Sequence, residues 1–249
     1  MKFKMKIRNM SRYFIKILLA LIFSLPLSSQ NDINKNSNDS LVFKEKYGLR
    51  LGLDLSKLGK SAFETNYTGF EINGDYRITK RLYISGDLGY ENKKTNTDYL
   101  SSSASGGYLK AGIDFNLYNN WTGMENLIFS GLRLGISNFT QKRIQYNIYD
   151  TFNQTWGQIE NQQSIDYNDM TSSWIELLFG VKTEILNNLF LGFNIQLKVR
   201  MTEIIPNNFE NIYIPGFGKT YDSTKIGTGL NYSISYLIPL VKKVSEKSK

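Results

Sequence analysis

The residues with the most chemistry to offer recur at every second position. Glu71, Asp75 and Arg77 share one parity, as do Asp87 with Glu91, Lys110 with Asp114, Glu176 with Lys182, and Lys198 with Arg200. Two carboxylates so placed, such as Glu71 and Asp75, could divide acid and base roles between them. On a strand, the same spacing puts both on one face among cations, where pairing is the simpler outcome. The 249 residues contain no histidine and no cysteine, which removes imidazole bases, thiolate nucleophiles, the usual zinc sets and a lipid-bearing cysteine. No glycine loop with a lysine and a hydroxyl follows a strand, so no phosphate cradle is expected. The reading is therefore of a protein that is not an enzyme, with no catalytic residue, no cofactor and no metal.

Alternation of this kind belongs to strands, whose successive side chains face opposite ways. It is longest at 189–202, where Leu189, Leu191, Phe193, Ile195, Leu197, Val199 and Met201 lie between Gly192, Asn194, Gln196, Lys198, Arg200 and Thr202. A tilted strand crosses a bilayer in about 9–11 residues, and this segment is long enough. The pattern repeats at 47–56, 69–78, 82–90, 108–117, 127–139, 173–185 and 224–237. The connections read long, short, long, short, long, short, long. Among them are a polar loop at 92–105, a turn at 119–123, a Gln-, Asn- and Tyr-rich stretch at 140–170, the two-residue turn Asn187-Asn188 and a loop at 203–222. Tyr146, Tyr149, Phe152 and Trp156 in the 140–170 stretch could grip a sugar or a protein, but the simpler expectation is a hairpin that continues as a ribbon. Pro239 is expected to end the last strand, which keeps every ladder free of proline. Antiparallel strands with this rhythm would gather the long loops at one end and both termini with the tight turns at the other, the layout of an outer-membrane barrel.

Alternation alone does not say which face points outward, since a soluble lipocalin-like barrel keeps its apolar face inside. Glycine decides the expectation. Gly48, Gly52, Gly69, Gly89, Gly112, Gly131, Gly135, Gly180, Gly192, Gly227 and Gly229 all share the polar face, and the interior of an eight-strand barrel is barely wide enough for side chains. That face also carries the cations Arg50, Arg77, Arg81, Lys110, Arg133, Lys182, Lys198, Arg200 and Lys225 and the carboxylates Asp54, Glu71, Asp75, Asp87, Glu91, Asp114, Glu176 and Glu184. Near-equal numbers in a narrow interior point to a pairing network that fills the lumen, with an ion path as the functional alternative. The fold expected is all-β: an eight-stranded antiparallel up-and-down transmembrane β-barrel over 47–240.

The first thirty residues carry Lys2, Lys4, Lys6, Arg8, Arg12 and Lys16 and no acid, then an apolar run from Ile17 to Phe23, then Ser28 and Ser29. This is the order of a cleavable signal peptide over 1–29, and the apolar run is far short of the roughly 20 residues a spanning helix needs. A flexible leader at 30–46 and a basic periplasmic tail at 241–249 complete the plan. Together the first thirty residues and the tail account for the net charge of +8, so the body is near neutral and no nucleic-acid partner is expected.

Three stretches carry a family likeness. They are the loop and last strand, Asn207-Asn208-Phe209-Glu210-Asn211-Ile212-Tyr213-Ile214-Pro215-Gly216-Phe217 and Thr220-Tyr221-Asp222-Ser223 through Tyr232-Ser233-Ile234-Ser235-Tyr236-Leu237-Ile238-Pro239, then Tyr47-Gly48-Leu49-Arg50-Leu51-Gly52-Leu53-Asp54-Leu55-Ser56-Lys57 and Leu117-Tyr118-Asn119-Asn120-Trp121-Thr122-Gly123-Met124-Glu125-Asn126. Together they resemble an uncharacterised Bacteroidota family of outer-membrane β-barrel proteins classed as a domain of unknown function. The resemblance implies the barrel and the outer membrane and brings no site residues with it. The function expected is structural or interaction-bearing through extracellular loops. Its partners would be outer-membrane lipid and lipopolysaccharide, with the barrel-assembly machinery during biogenesis. A narrow channel or small-ligand transporter, and a soluble periplasmic ligand-binding barrel, are the alternatives.

Overall fold

The computed structural model describes residues 44–118, 125–148, 159–161 and 163–244. In chain order the elements are β1 (Lys44–Asp54), α1 (Leu55–Phe63), β2 (Tyr67–Arg77), β3 (Leu82–Asn96), β4 (Leu100–Asn116), β5 (Leu127–Ile148), β6 (Ile159–Asn161), β7 (Ile165–Leu186), β8 (Leu189–Glu203), β9 (Tyr213–Ile214), β10 (Gly218–Lys219) and β11 (Ile226–Val244). The expected signal peptide, most of the leader, the turn at 119–123, the loop residues Tyr149, Phe152 and Trp156 and the end of the basic tail lie outside the described residues.

Eight long strands pair in the order β4-β3-β2-β1-β11-β8-β7-β5, and a further β4–β5 pairing closes them into a ring. Every long-strand pairing is antiparallel. Among the described residues closure leaves the eight long strands no outer edge strand, apart from a gap beside α1; the short β6 is an edge at the ribbon tip. The ring sorts side chains by parity. Leu88 and Leu134 are 56% and 62% exposed on the outer face, whereas Lys110 and Glu176 inside are 1% and 0% exposed. The apolar face therefore points outward, opposite to a lipocalin-like arrangement.

The polar-face glycines are the counterpart of the bulky groups inside. A Cβ at Gly135 would strike the Trp174 indole, one at Gly89 the Tyr108 ring, and one at Gly227 the Phe217 ring. Each of these three glycines is a recess that an aromatic side chain from a neighbouring element occupies, while others such as Gly48 and Gly112 allow close approach of backbone.

The connections depart from the expected rhythm in four places. Residues 92–105 are not a loop: β3 and β4 pair through them, from Asn92↔Ser105 to Asn96↔Ser101, around a turn at 97–99. Ser and Thr give no apolar alternation, but their backbones pair as well as any, and the Thr97 hydroxyl and backbone close the turn on Leu100. The first connection holds a helix, because Asp54 stops β1 by accepting hydrogen bonds from the N–H groups of Ser56 (2.7 Å) and Lys57 (3.2 Å), a helix N-cap. The ladder is longer than expected at the termini, with β1 starting at Lys44 and β11 running to Val244. Finally, Pro239 lies within β11 opposite Gly48, beside a register shift at Tyr47/Gly48. There β11 has run past its last β8 pair, Tyr236↔Leu189, so a missing N–H at a bulge costs little. The 140–170 stretch does continue as a ribbon, with β5 and β7 paired as far as Arg143↔Ile165 and β6 added at the tip. The Asn187-Asn188 turn forms as read, with Asn188 at φ 64°, a conformation Asn tolerates.

Replacing Gly135 with Leu should force Trp174 from its recess and lower the midpoint of urea unfolding in micelles by the equivalent of about 1–3 kcal/mol. Leu134→Ala, on the outer face of the same strand, should leave the interior packing unchanged by near-ultraviolet circular dichroism.

Candidate functional site

The lumen is where the sequence placed its chemistry, and it is filled in three tiers. At the end that carries the termini, Arg77 donates to Glu125 at 3.0 Å and stacks over Tyr47, while Lys46 pairs with Glu184 at 3.3 Å. Just above, Asp75 accepts from Lys182 at 2.6 Å and faces Arg50 at 3.7 Å. Arg50 lies over the Phe190 ring, 4.3 Å from its centroid, a contact strengthened by loss of solvent.

The middle tier centres on Lys110, which faces Glu71 at 3.2 Å, Glu176 at 3.7 Å and Asp87 at 3.9 Å. Arg133 forks onto both oxygens of Asp114 at 2.7 and 3.0 Å and reaches Asp87 at 3.7 Å. This bidentate geometry is the strong form of the pair. Tyr108 donates to Glu71 at 2.6 Å, as does Asn231 at 3.2 Å. Trp174 donates to Glu176 at 3.3 Å.

The upper tier is a stopper. Residues 204–225 dip into the mouth and place Ile214 and Phe217 among Tyr108, Phe139, Met170 and Trp174. Gly216 makes the dip possible: its φ is +80°, and a Cβ there would enter the Tyr108 ring. Lys198, from the wall, donates to the Gly216 carbonyl at 2.7 Å and faces Glu176 at 3.8 Å. Glu91 gathers the pieces. It accepts from Tyr67 at 3.0 Å, from Tyr213 at 2.6 Å and from the Gly216 N–H at 3.0 Å, and forms a close ion pair with Lys57 of α1. One carboxylate thus ties wall, helix and inserted loop together.

The network contains Arg50, Glu71, Asp75, Asp87, Lys110, Asp114, Arg133, Glu176, Lys182 and Lys198. The other residues assigned to it lie toward the ends of the lumen or beyond them. Asp54 caps α1, Arg77 belongs to the terminal end, and Arg200 pairs with Glu203 at 3.1 Å on the rim. Lys225 is exposed and precedes β11, and its carbonyl accepts from the Arg200 N–H. Arg81 is likewise exposed, in the turn between β2 and β3. Lys225 and Arg81 lie just outside β11 and β3, where parity no longer dictates direction.

Lys57, Tyr67, Tyr108, Trp174 and Tyr213 were missed. Tyr67, Tyr108 and Trp174 share the parity of Gly69, Lys110 and Glu176, so their inward direction was legible. Lys57 had a signal too, since Asp54 precedes nine residues without a β-branched side chain, the start of a helix. For Tyr213, the apolar run of 212–217 inside a polar loop was the available sign.

Replacing Glu91 with Gln removes the nearer of the two carboxylates that answer Lys57, the other being Glu71 at 3.7 Å, and should cost roughly 3 kcal/mol, the low end for a broken buried pair. Glu91→Gln combined with Lys57→Met should recover part of the loss, read as a double-mutant cycle on unfolding midpoints.

No curated protein matches the chain. Among solved structures, the crystal structure of Ail, the attachment invasion locus protein of Yersinia pestis, is similar at 8% identity and a TM-score of 0.37, covering 79% of this chain and 99% of that one. The model of the family described as Domain of unknown function (DUF6048) matches residues 10–243, and the chain belongs to that family.

Proposed function

We propose that the protein is a small barrel of the bacterial outer membrane, non-enzymatic, whose role is structural or interaction-bearing through the loops opposite its termini. The observation that carries this reading is the closed ring that turns its Leu, Ile, Val and Phe outward while its charges are buried inside. Such a surface is at home only in hydrocarbon, and a closed sheet is one of the two ways a backbone can cross it. The basic, apolar and small-residue order of the first thirty residues agrees with export. On this reading the ends of β1 and β11 face the periplasm, and α1, the β5–β7 ribbon and the inserted loop face outward. Outer-membrane lipid and lipopolysaccharide would surround the belt, and the barrel-assembly machinery would insert it.

A channel is the weaker reading, because paired side chains fill the lumen and an inserted loop closes its mouth. The salt bridges leave a permeating ion few unanswered charges to exploit.

After carbonate extraction the protein should stay in the membrane pellet and migrate differently on gels when boiled and unboiled. Release into the soluble fraction with no shift would sink the membrane reading. In planar bilayers the wild type should give no steady open level, and a reproducible one would reinstate the channel.

A further inference from the structure

The ring is not uniformly paired. β1 ends at Asp54 opposite Ser233, whereas β11 continues to Ile226, paired from Val199 to Phe193 with β8 alone. On the other side of the gap, β2 extends to Tyr67 beyond its last β1 pair, Ile72↔Leu53. A lateral seam therefore opens between the upper halves of β2 and β11, and α1 sits in it. The helix answers the β2 side: the Ser61 hydroxyl accepts from the Gly69 N–H at 2.7 Å and donates to the Gly69 carbonyl at 2.8 Å. Over 226–232 the facing edge of β11 has no strand partner.

The seam lies at the level of Phe193, Ile195, Leu197 and Val199, all exposed on the outer face, and so within the apolar belt. Backbone groups there cannot be left to hydrocarbon. A groove of about 620 Å³ runs along this place, walled by Leu177, Phe179, Ile195, Leu197 and Leu230, with Lys60 of α1 at its polar end. It meets a smaller polar cavity of about 90 Å³ inside the barrel, also lined by Lys60, Thr228 and Leu230. The carboxylates of that inner cavity are already engaged. Glu91 holds Lys57 and Tyr213, Glu71 holds Lys110 and Tyr108, and Asp54 caps the helix. Among the described residues Lys60 has no ion-pair partner. What the mouth offers a visitor is thus one cation and the N–H donors and C=O acceptors of an unpaired strand edge above a hydrocarbon groove.

We propose that this seam is a lateral binding site for one anionic lipid, its acyl chain in the groove over β7, β8 and β11 and its phosphate-bearing head against Lys60 and the open edge of β11. The site rests on the membrane reading. The lipid completes the wall where β1 leaves it, giving the β11 edge hydrogen-bond partners that no strand provides. An anion fits and a cation does not, because the single uncommitted charge at the mouth is positive.

The test uses the full chain in micelles with phosphatidylglycerol and phosphatidylcholine, read by native mass spectrometry. The wild type should retain one phosphatidylglycerol with about fivefold preference, the scale of one lysine acting on an anionic head. Lys60→Arg should keep that preference and Lys60→Glu should lose it. Because the chain has no cysteine, Thr228→Cys accepts a single environment-sensitive fluorophore at the seam, and Leu88→Cys a control elsewhere on the belt. Phosphatidylglycerol should shift the label at 228 alone. Equal binding by Lys60→Glu, or equal response at both labels, overturns the site while a boiled-versus-unboiled gel shift still upholds the membrane barrel. Absence of that gel shift in the wild type overturns both.

Discussion

Charge inside an eight-strand ring must be answered by other charge, because there is too little room for water to do it. This constraint organises the molecule. Lys110 can sit at 1% exposure only because Glu71, Glu176 and Asp87 surround it. Glu71 in turn accepts from Tyr108 and Asn231, which lie on different walls. The pairs link strands distant in sequence, so they hold the ring in cross-section much as the ladder holds it around its circumference. A network of this type is sensitive to the loss of one partner and indifferent to the replacement of a whole pair by hydrocarbon. Its value here lies in specifying one arrangement of walls, helix and loop.

The stopper follows from the same constraint. A loop can enter the mouth only if its backbone polar groups are met, and Lys198 and Glu91 meet those of Gly216. Its apolar residues then join Trp174 and Tyr108 in the larger of the two buried hydrophobic clusters among the described residues. The upper barrel thus has a core of aromatic rings, with an edge-on Trp174–Phe217 contact of 5.9 Å, while the lower barrel combines ion pairs with the smaller cluster of Tyr83, Leu127 and Phe129. Glycine recesses let both fit within one narrow bore.

The weak place in this construction is the seam. Stopping β1 at Asp54 frees enough chain to form α1, and α1 brings Lys57 to Glu91. The consequence is a wall section in which α1 packs between β2 and a β11 edge that has no strand partner. The device that seals the mouth is therefore the one that opens the side.

The sequence by itself determined the strands, their parity and the direction of their faces. Leu189 to Met201 alternate without a break, and the polar-face glycines mark an interior short of space, both of which are local properties of a two-residue period. It also determined that charges of both signs would share the lumen. Only the tertiary structure decided where alternation stops mattering: Lys225 and Arg81 keep the right parity but lie beyond the strand ends, and the Ser-rich 92–105 segment pairs without any apolar signal. Likewise, no local pattern says that Glu91 will meet Tyr213, 122 residues away, or that 212–217 will turn into the mouth. Those outcomes depend on which backbone and charge partners the closed ring leaves available, and that is a property of the ring as a whole.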